Sequence, residues 1–361
     1  MPSAITSQLS WGNGNGTFQA PTTYTTPHPP TTYVGVGDFN NDHNMDLVLV
    51  ESHHIDIMLG NGNGTFQPPL DFAPSYAPTS VGVGDFDHDG NLDLAVGEQF
   101  GGTSQVQIFF GKGDGTFRPG GSYAVGSQPT SVTASDLRGD GRLDLVVSSF
   151  GDGLDVLLGN GDGTFQSAVR YQGGTTWATV ADLNGDGIPD VASASFDSPS
   201  GVYVNLGAGN GTLGPSEYYP DGKQAQFVAT GDFNRDHMTD LIVADAYFKD
   251  NDVIVMLYTG VVSFSPTTPL NFEKQTVGTT SKAQSVTLTN TGGTALKISS
   301  TKASAEFAIT STCGKSVAAG AKCTISATFS PTKQGAAQGT ISIIDSASTR
   351  PQVIELLGTG T

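Results

Sequence analysis

Five aspartate-rich stretches of nine residues recur along the chain: DFNNDHNMD from Asp38, DFDHDGNLD from Asp85, DLRGDGRLD from Asp136, DLNGDGIPD from Asp182 and DFNRDHMTD from Asp232. Their starts are 47, 51, 46 and 50 residues apart. A period of that size marks a repeat architecture whose unit is one four-stranded propeller blade.

The second unit, TSVGVGDFDHDGNLDLAVGEQFGGTSQVQIFFGKGDGTFRPGGSYAVG, holds three β-rich runs and a weaker fourth between glycine-rich turns. It reads as an antiparallel meander. The small-residue run before each Asp loop suits an inner strand packed around a channel, and DLAV, DLVV, DVAS or DLIV follows as the second strand. A second motif shares the period: WGNGNGTF from Trp11, LGNGNGTF from Leu59, FGKGDGTF from Phe110, LGNGDGTF from Leu158 and LGAGNGTL from Leu206. It reads as the turn joining strands three and four, with Phe18, Phe66, Phe117 and Phe165 wedged between neighbouring blades. The chain opens with half a blade, Trp11 to Tyr24, which can close the ring by pairing with the last unit; VVSFSPTT reads as that unit's own outer strand and argues against it. Five closed blades is the first expectation and a piece of a larger, seven-bladed ring the second.

Charge divides the chain. Residues 1–262 carry 30 acids and 8 bases, residues 263–361 carry 4 acids and 8 bases, and sixteen of the 30 acids lie in the five loops. Such a surface repels nucleic acid and attracts cations. No apolar run is long enough to span a membrane, and MPSAITSQLSW has neither the basic nor the apolar region of a secretory signal. Cys313 and Cys323, the two cysteines, are read as a disulfide or as two free thiols; the disulfide implies an oxidising compartment.

Each Asp loop sets acids or amides at positions 1, 3 and 5, a backbone carbonyl at 7 and an aspartate at 9, oxygen donors suited to calcium. Loop one offers Asp38, Asn40, Asp42, Asn44 and Asp46; loop two Asp85, Asp87, Asp89, Asn91 and Asp93; loop three Asp136, Asp140 and Asp144. Loop four offers Asp182, Asn184, Asp186, Ile188 and Asp190, and loop five Asp232, Asn234, Asp236, Met238 and Asp240. Two to five structural calcium ions are expected. His43 and His237 replace the turn glycine and weaken loops one and five, while Arg138 at the third position empties loop three. The competing reading is that the aspartates cap turns without metal. The histidines do not cluster with zinc-ligand spacing, and Glu51, Glu98 and Asp245 follow strand two without a His or Arg nearby in sequence. His53 and His54 beside Glu51 fit either a unique site or an exposed turn.

These residues resemble the FG-GAP and VCBS repeats of bacterial secreted proteins, whose D-x-N-x-D-G-x-x-D-L pattern is matched at Asp38, Asp85, Asp136, Asp182 and Asp232. The resemblance covers residues 10–262 and implies a calcium-loaded β-propeller, as in the head of integrin α subunits, serving adhesion, carbohydrate binding or scaffolding without a common catalysis. The stretches NFEKQTVGTTSKAQSVTLTNTGGTALKI and CGKSVAAGAKCTISATFSPTKQGAAQGTISI resemble ASH or Hydin-type immunoglobulin-like domains of bacterial surface proteins. In that family the cysteine pair brackets a loop, which implies the Cys313–Cys323 disulfide.

The expected architecture is all-β: a propeller over 1–262, a linker over 263–270 and an immunoglobulin-like sandwich over 271–361. The expected function is non-catalytic binding or adhesion, as a monomer outside the cell or on its surface, toward a glycan or protein, with Trp177, Tyr203, Tyr247 and Phe248 as candidate stacking residues. A lyase or glycosidase on a propeller scaffold is the alternative, and a passive spacer within a larger surface protein is a third.

Overall fold

The computed structural model describes residues 7–10, 12, 17, 19–100, 102–220, 224–233, 238–245, 252–257, 262–266, 269–291, 295–345 and 352–361. Trp11, Phe18, Asn234, Asp236, His237, Tyr247 and Phe248 lie outside them. The described elements are all strands. Two compact units result, one of Met1–Ala181, Ile188–Thr230 and Leu241–Met256, the other of Asp182–Gly187, Gly231–Asp240 and Leu257–Thr361.

A short hairpin, β1 (Ser7–Leu9) and β2 (Thr22–Tyr24), comes first. Blade one is β3 (Tyr33–Gly37), β4 (Asp46–Val50), β5 (Ile55–Met58) and β6 (Leu70–Phe72); blade two is β7 (Ala77–Gly84), β8 (Asp93–Phe100), β9 (Thr103–Gly111) and β10 (Phe117–Ala124). Blade three is β11 (Pro129–Ser135), β12 (Asp144–Ser149), β13 (Gly153–Leu157) and β14 (Val169–Tyr171); blade four is β15 (Trp177–Ala181), β16 (Asp190–Ser195), β17 (Gly201–Gly207) and β18 (Leu213–Pro220). A fifth sheet has three described strands, β19 (Ala225–Gly231), β20 (Asp240–Asp245) and β21 (Val253–Met256). The predicted meander is thus the observed unit. Every Asp loop joins strand one to strand two, and every G-N/D-G-T-F turn in the full blades joins strand three to strand four.

Position within the blade explains the composition of each strand. The second strands DLVLV, DLVVSS and DVASAS are buried along their whole length. Neighbouring blades cover both faces, so these strands read as continuous small or apolar runs rather than alternating ones. Inner strands approach one another closely. A Cβ on Gly82 of β7 would lie 3.0 Å from a methyl of Val132 on β11.

The turn aromatics wedge between blades as expected. Phe117 of blade two packs on Phe39 and Phe72 of blade one, with ring centroids 5.9 and 5.7 Å away. Phe165 of blade three meets Phe86 and Tyr123 of blade two at 5.5 and 5.6 Å. In blade four Leu213 takes the place of the aromatic and joins the cluster around Leu137. Backbone bonds accompany these contacts: Gly115 N–H donates to the Phe39 carbonyl and Gly163 N–H to the Phe86 carbonyl, both at 2.9 Å. Blades two to four therefore each hold the Asp loop of the blade before them.

Two expectations about the ends are corrected. Thr22–Tyr24 pairs with Ser7–Leu9 rather than with the last unit, and Tyr24 packs on Phe66 of blade one at 5.6 Å. Among the described residues this hairpin is thus tied to blade one. The VVSFSPTT stretch is not an outer strand of the fifth sheet. Its residues Val262–Ser265 form β22, which pairs with Gln284–Asn290, so the presumed linker begins inside a sandwich strand.

The second unit has two sheets. One orders β22, β24 (Gln284–Asn290), β28 (Lys322–Phe329) and β26 (Phe307–Ser311); the other orders β23 (Leu270–Gln275), β30 (Gln352–Gly360), β29 (Gly335–Asp345), β25 (Leu296–Ala303) and β27 (Ser316–Val317). Alternating inward residues such as Val286, Leu288, Ile325, Phe329, Ile341 and Ile343 form one core. Cys313 and Cys323 are disulfide-bonded within it, with Cα atoms 4.8 Å apart.

Candidate functional site

Loops one to four share a hydrogen-bonding scheme set by their aspartates. The first aspartate accepts from the amide of the sixth residue: Asp38 from His43 at 2.8 Å, Asp85 from Gly90 at 3.0 Å, Asp136 from Gly141 at 2.7 Å and Asp182 from Gly187 at 2.9 Å. The fifth accepts from the seventh, as Asp42 does from Asn44 and Asp89 from Asn91, both at 2.8 Å. At the third position Asn40 and Asn184 each bond the fifth-position aspartate, Asp42 and Asp186. Ile188 and Met238 hold the seventh position in loops four and five. The ninth aspartates, Asp46, Asp93, Asp144, Asp190 and Asp240, are fully buried. They tie loop to blade: Asp93 accepts from Phe86 N–H at 2.9 Å and from Gly111 N–H at 2.8 Å, and Asp46 from Phe39 and Gly60, both at 2.7 Å.

Loop two tests whether a cation fits. Asp85, Asp87 and Asp93 each bring a carboxylate oxygen to within 4.8 Å of the others, and Asp85 Oδ1 is buried without a hydrogen-bond partner. An orphaned anionic oxygen facing two further carboxylates fits a hard cation. His43 has φ of +66°, matching +88° at Gly90, so the left-handed turn anticipated at that position is present and carries a side chain that costs about 1–2 kcal/mol there. Asn41 and His88 are left-handed too, at +57° and +59°, where loops three and four have Gly139 and Gly185. This second demand on the loop escaped sequence reasoning, although those two glycines signalled it.

In loop three the Arg138 guanidinium reaches the middle of the acids. It donates to Asp144 at 2.6 and 3.2 Å and to the Gly159 carbonyl at 2.6 Å, and lies 3.4 Å from Asp140. A cation from within the loop stands where loops one and four have Asn40 and Asn184.

Burial raises the carboxyls of Asp46, Asp93 and Asp144, Asp93 to about 6, against the pull of their amide donors. A carboxyl raised on folding contributes stability that is complete below the unfolded value near 4 and is lost as pH climbs through the folded value. Hydrogen bonds lower Asp42, Asp114 and Asp162, and their contribution is lost only as pH falls below that same unfolded value. In chelator, the thermal midpoint is therefore expected to fall between pH 4 and 7. A midpoint that rises across this window contradicts the assignment.

The inner strands themselves form a second candidate surface. Residues of β3, β7, β11 and β15 line a cavity of about 370 Å³, among them Tyr33 and Trp177. The Tyr33 ring stacks on Trp177 at 5.7 Å, and Trp177 meets Phe227 of β19 at 4.6 Å. Phe227 is 41% exposed. All three residues lie near the starts of strands whose far ends enter the Asp loops. Tyr203, by contrast, is buried and donates its hydroxyl to the Pro199 carbonyl at 3.1 Å, so it offers no stacking face.

The leftover acids are also resolved. Glu98 accepts from Gln105 Nε2 at 2.8 Å, and Asp245 is buried. Glu51 is buried and lies with His28, Asp56, Asp71 and His54 at one corner of blade one. His28 precedes the blade and carried no motif, so sequence spacing did not reveal the group. Burial, then the charges of Glu51 and Asp71, push Asp56 up to about 6 against the pull of His28.

Residues 6–49, 38–96, 99–147, 136–193 and 182–243 match the FG-GAP-like repeat, and residues 259–353 match the abnormal spindle-like microcephaly-associated ASPM-SPD-2-Hydin (ASH) domain. A lectin of Agrocybe aegerita that recognises non-reducing terminal N-acetylglucosamine is 22% identical, covering 69% of this chain and 73% of its own, with a TM-score of 0.47. The biofilm matrix protein of V. cholerae is 15% identical over 99% of this chain and 61% of its own, with a TM-score of 0.37. A human ASH/PapD-like domain is 15% identical over 32% of this chain and 97% of its own, with a TM-score of 0.24. No curated protein matches the chain.

Proposed function

This chain belongs to the FG-GAP-like repeat family and carries an ASH domain after the repeats, and from that premise we propose a calcium-stabilised, non-catalytic binding or adhesion protein of an extracellular or cell-surface setting, recognising a glycan or protein ligand. The observation that carries the reading is the stacked pair Tyr33 and Trp177 lining the cavity between the inner strands, with Phe227 packed on Trp177 beside it. Aromatic faces in a cavity suit sugar rings and apolar side chains alike. The formed Cys313–Cys323 disulfide supports an oxidising compartment. Among the described residues no helix is long and apolar enough to cross a membrane, which leaves β-barrel crossing unaddressed.

Calcium belongs to the scaffold in this reading. Asp85, Asp87, Asp89, Asp93 and the Asn91 carbonyl would hold it in loop two, and Asp182, Asn184, Asp186, Asp190 and the Ile188 carbonyl in loop four. The ion supplies positive charge among crowded carboxylates. The residues themselves tie each loop to its blade and hold the ligand-facing inner strands in place.

The test is a glycan and matrix-protein array probed with the full chain in calcium, followed by titration of the best ligand against Trp177→Ala. Loss of about 2 kcal/mol, roughly 30-fold in affinity, is expected for a central aromatic anchor. Binding that survives in a folded variant, or the absence of any ligand on either array, removes this cavity as the recognition face.

A further inference from the structure

Blades one and three bury an aspartate at the same place on the third strand and treat it in opposite ways. Asp56 lies opposite Leu49, and Asp155 opposite Val147, each the third residue after the last aspartate of its loop. Across the other edge Asp155 faces Arg170, which donates to it at 3.0 and 3.1 Å, while Gly126 N–H adds a bond of 2.6 Å. Asp56 faces Asp71. Like charges directly opposite on paired strands destabilise a sheet. Asp56 is fully buried, and neither of its carboxylate oxygens has a hydrogen-bond partner among the described residues. No lysine or arginine among those residues forms an ion pair with Glu51, Asp56 or Asp71; the basic groups near the acids are His28 and His54.

The geometry around His28 supplies the missing partner. Its Nδ1 is buried, lacks a hydrogen bond, and lies 3.7 Å from both Asp56 Oδ1 and Asp71 Oδ1. That is too long for a hydrogen bond. It is close to the separation of neighbouring ligand atoms around a tetrahedral ion, roughly 3.3–3.6 Å for metal bonds of about 2.0–2.2 Å. The His54 ring stacks on His28 at 3.5 Å with 3° between planes and holds Asp71 Oδ1 at 2.7 Å. The neutral imidazole is the metal-ligating form. Glu51 fixes the segment by accepting from His28 N–H at 2.8 Å and from the Thr31 hydroxyl at 2.9 Å.

We infer that His28, Glu51 and Asp56, whose ligand atoms lie within 4.8 Å of one another, bind one divalent transition-metal ion of the zinc class, with Asp71 and His54 holding the His28 ring beside it. An imidazole nitrogen with two carboxylates suits such an ion better than calcium, which takes oxygen donors in greater number. Three protein ligands leave one position for water or for an oxygen atom of a bound molecule. The site is separate from the Asp loops and answers in blade one the charge problem that Arg170 answers in blade three.

The experiment is titration of the full chain with zinc by calorimetry and with cobalt by visible absorption, both in saturating calcium. One ion per chain with intense cobalt bands of low coordination number is expected. Asp56→Asn and His28→Ala should lose at least the roughly 100-fold in affinity that even outer-shell changes cost, whereas His53→Ala, in the same turn, should bind as wild type. Asp71→Arg copies blade three. It should abolish binding and raise the thermal midpoint in chelator, which keeps the inference testable even where Asp56→Asn fails to fold. Absence of binding by the folded wild type at millimolar metal overturns the site. So does equal binding by Asp56→Asn, or an Asp71→Arg chain that still binds or is less stable in chelator.

Discussion

Millimolar calcium is expected to raise the thermal midpoint of the full chain by roughly 10–20 °C over its value in excess chelator, with at least two ions bound per chain. Saturating one site at a hundredfold its dissociation constant adds about 2.7 kcal/mol. Two such sites, at about 2–4 °C per kcal/mol for a unit of this size, give the range stated. Loop two should contribute most, because Asp85 Oδ1 is buried without a partner and faces Asp87 and Asp93. Asp85→Asn is therefore expected to remove one ion and a proportionate share of the shift. The effect should spread beyond the loop, since Gly163 of the next blade donates to the Phe86 carbonyl beside Asp85. An unchanged midpoint together with no ion by elemental analysis would mean that the loops are hydrogen-bonded turns, and the calcium assignment falls.

Arg138→Asn should behave in opposite ways with and without calcium. In chelator it removes the guanidinium that donates to Asp144 at 2.6 Å, leaving a fully buried carboxylate short of its partner. Breaking a buried pair from one side costs about 3–5 kcal/mol, and the lower end applies because Gly159 and Leu137 still donate to Asp144. In calcium the new amide restores the third-position oxygen donor of loops one and four. The variant should then recover most of the loss and bind one ion more than wild type. Equal ion counts for the two proteins would show that loop three cannot be converted, and that Arg138 is not a stand-in for a cation.

The blade was legible because its constraints are local. Two glycine-rich turns and one aspartate loop per period fix strand order, and Phe39 with Phe117, or Phe86 with Phe165, fixes the neighbour contact through residues that repeat. The ends were not legible for the same reason. Val262–Ser265 alternates like any half-buried strand, and only the partner it finds, Gln284–Asn290, decides which sheet it joins. In the loops, residue types gave the ligands, while the second left-handed position at Asn41 and His88 depended on backbone geometry that neither residue announces. The His28 group was hidden because its members come from before the blade, from a hairpin and from two strands. Aligning the units would still have exposed one clue, since Asp71 stands where Arg170 stands.

Blades two to four each hold the Asp loop of the blade before them through the turn between strands three and four, so the repeats are coupled neighbour to neighbour. Under tension the repeats should yield one at a time, each releasing about fifty residues and so roughly 170 Å of slack. A chain anchored at one end and loaded at the other would then dissipate a pull in steps, with the Asp loops as its graded latches.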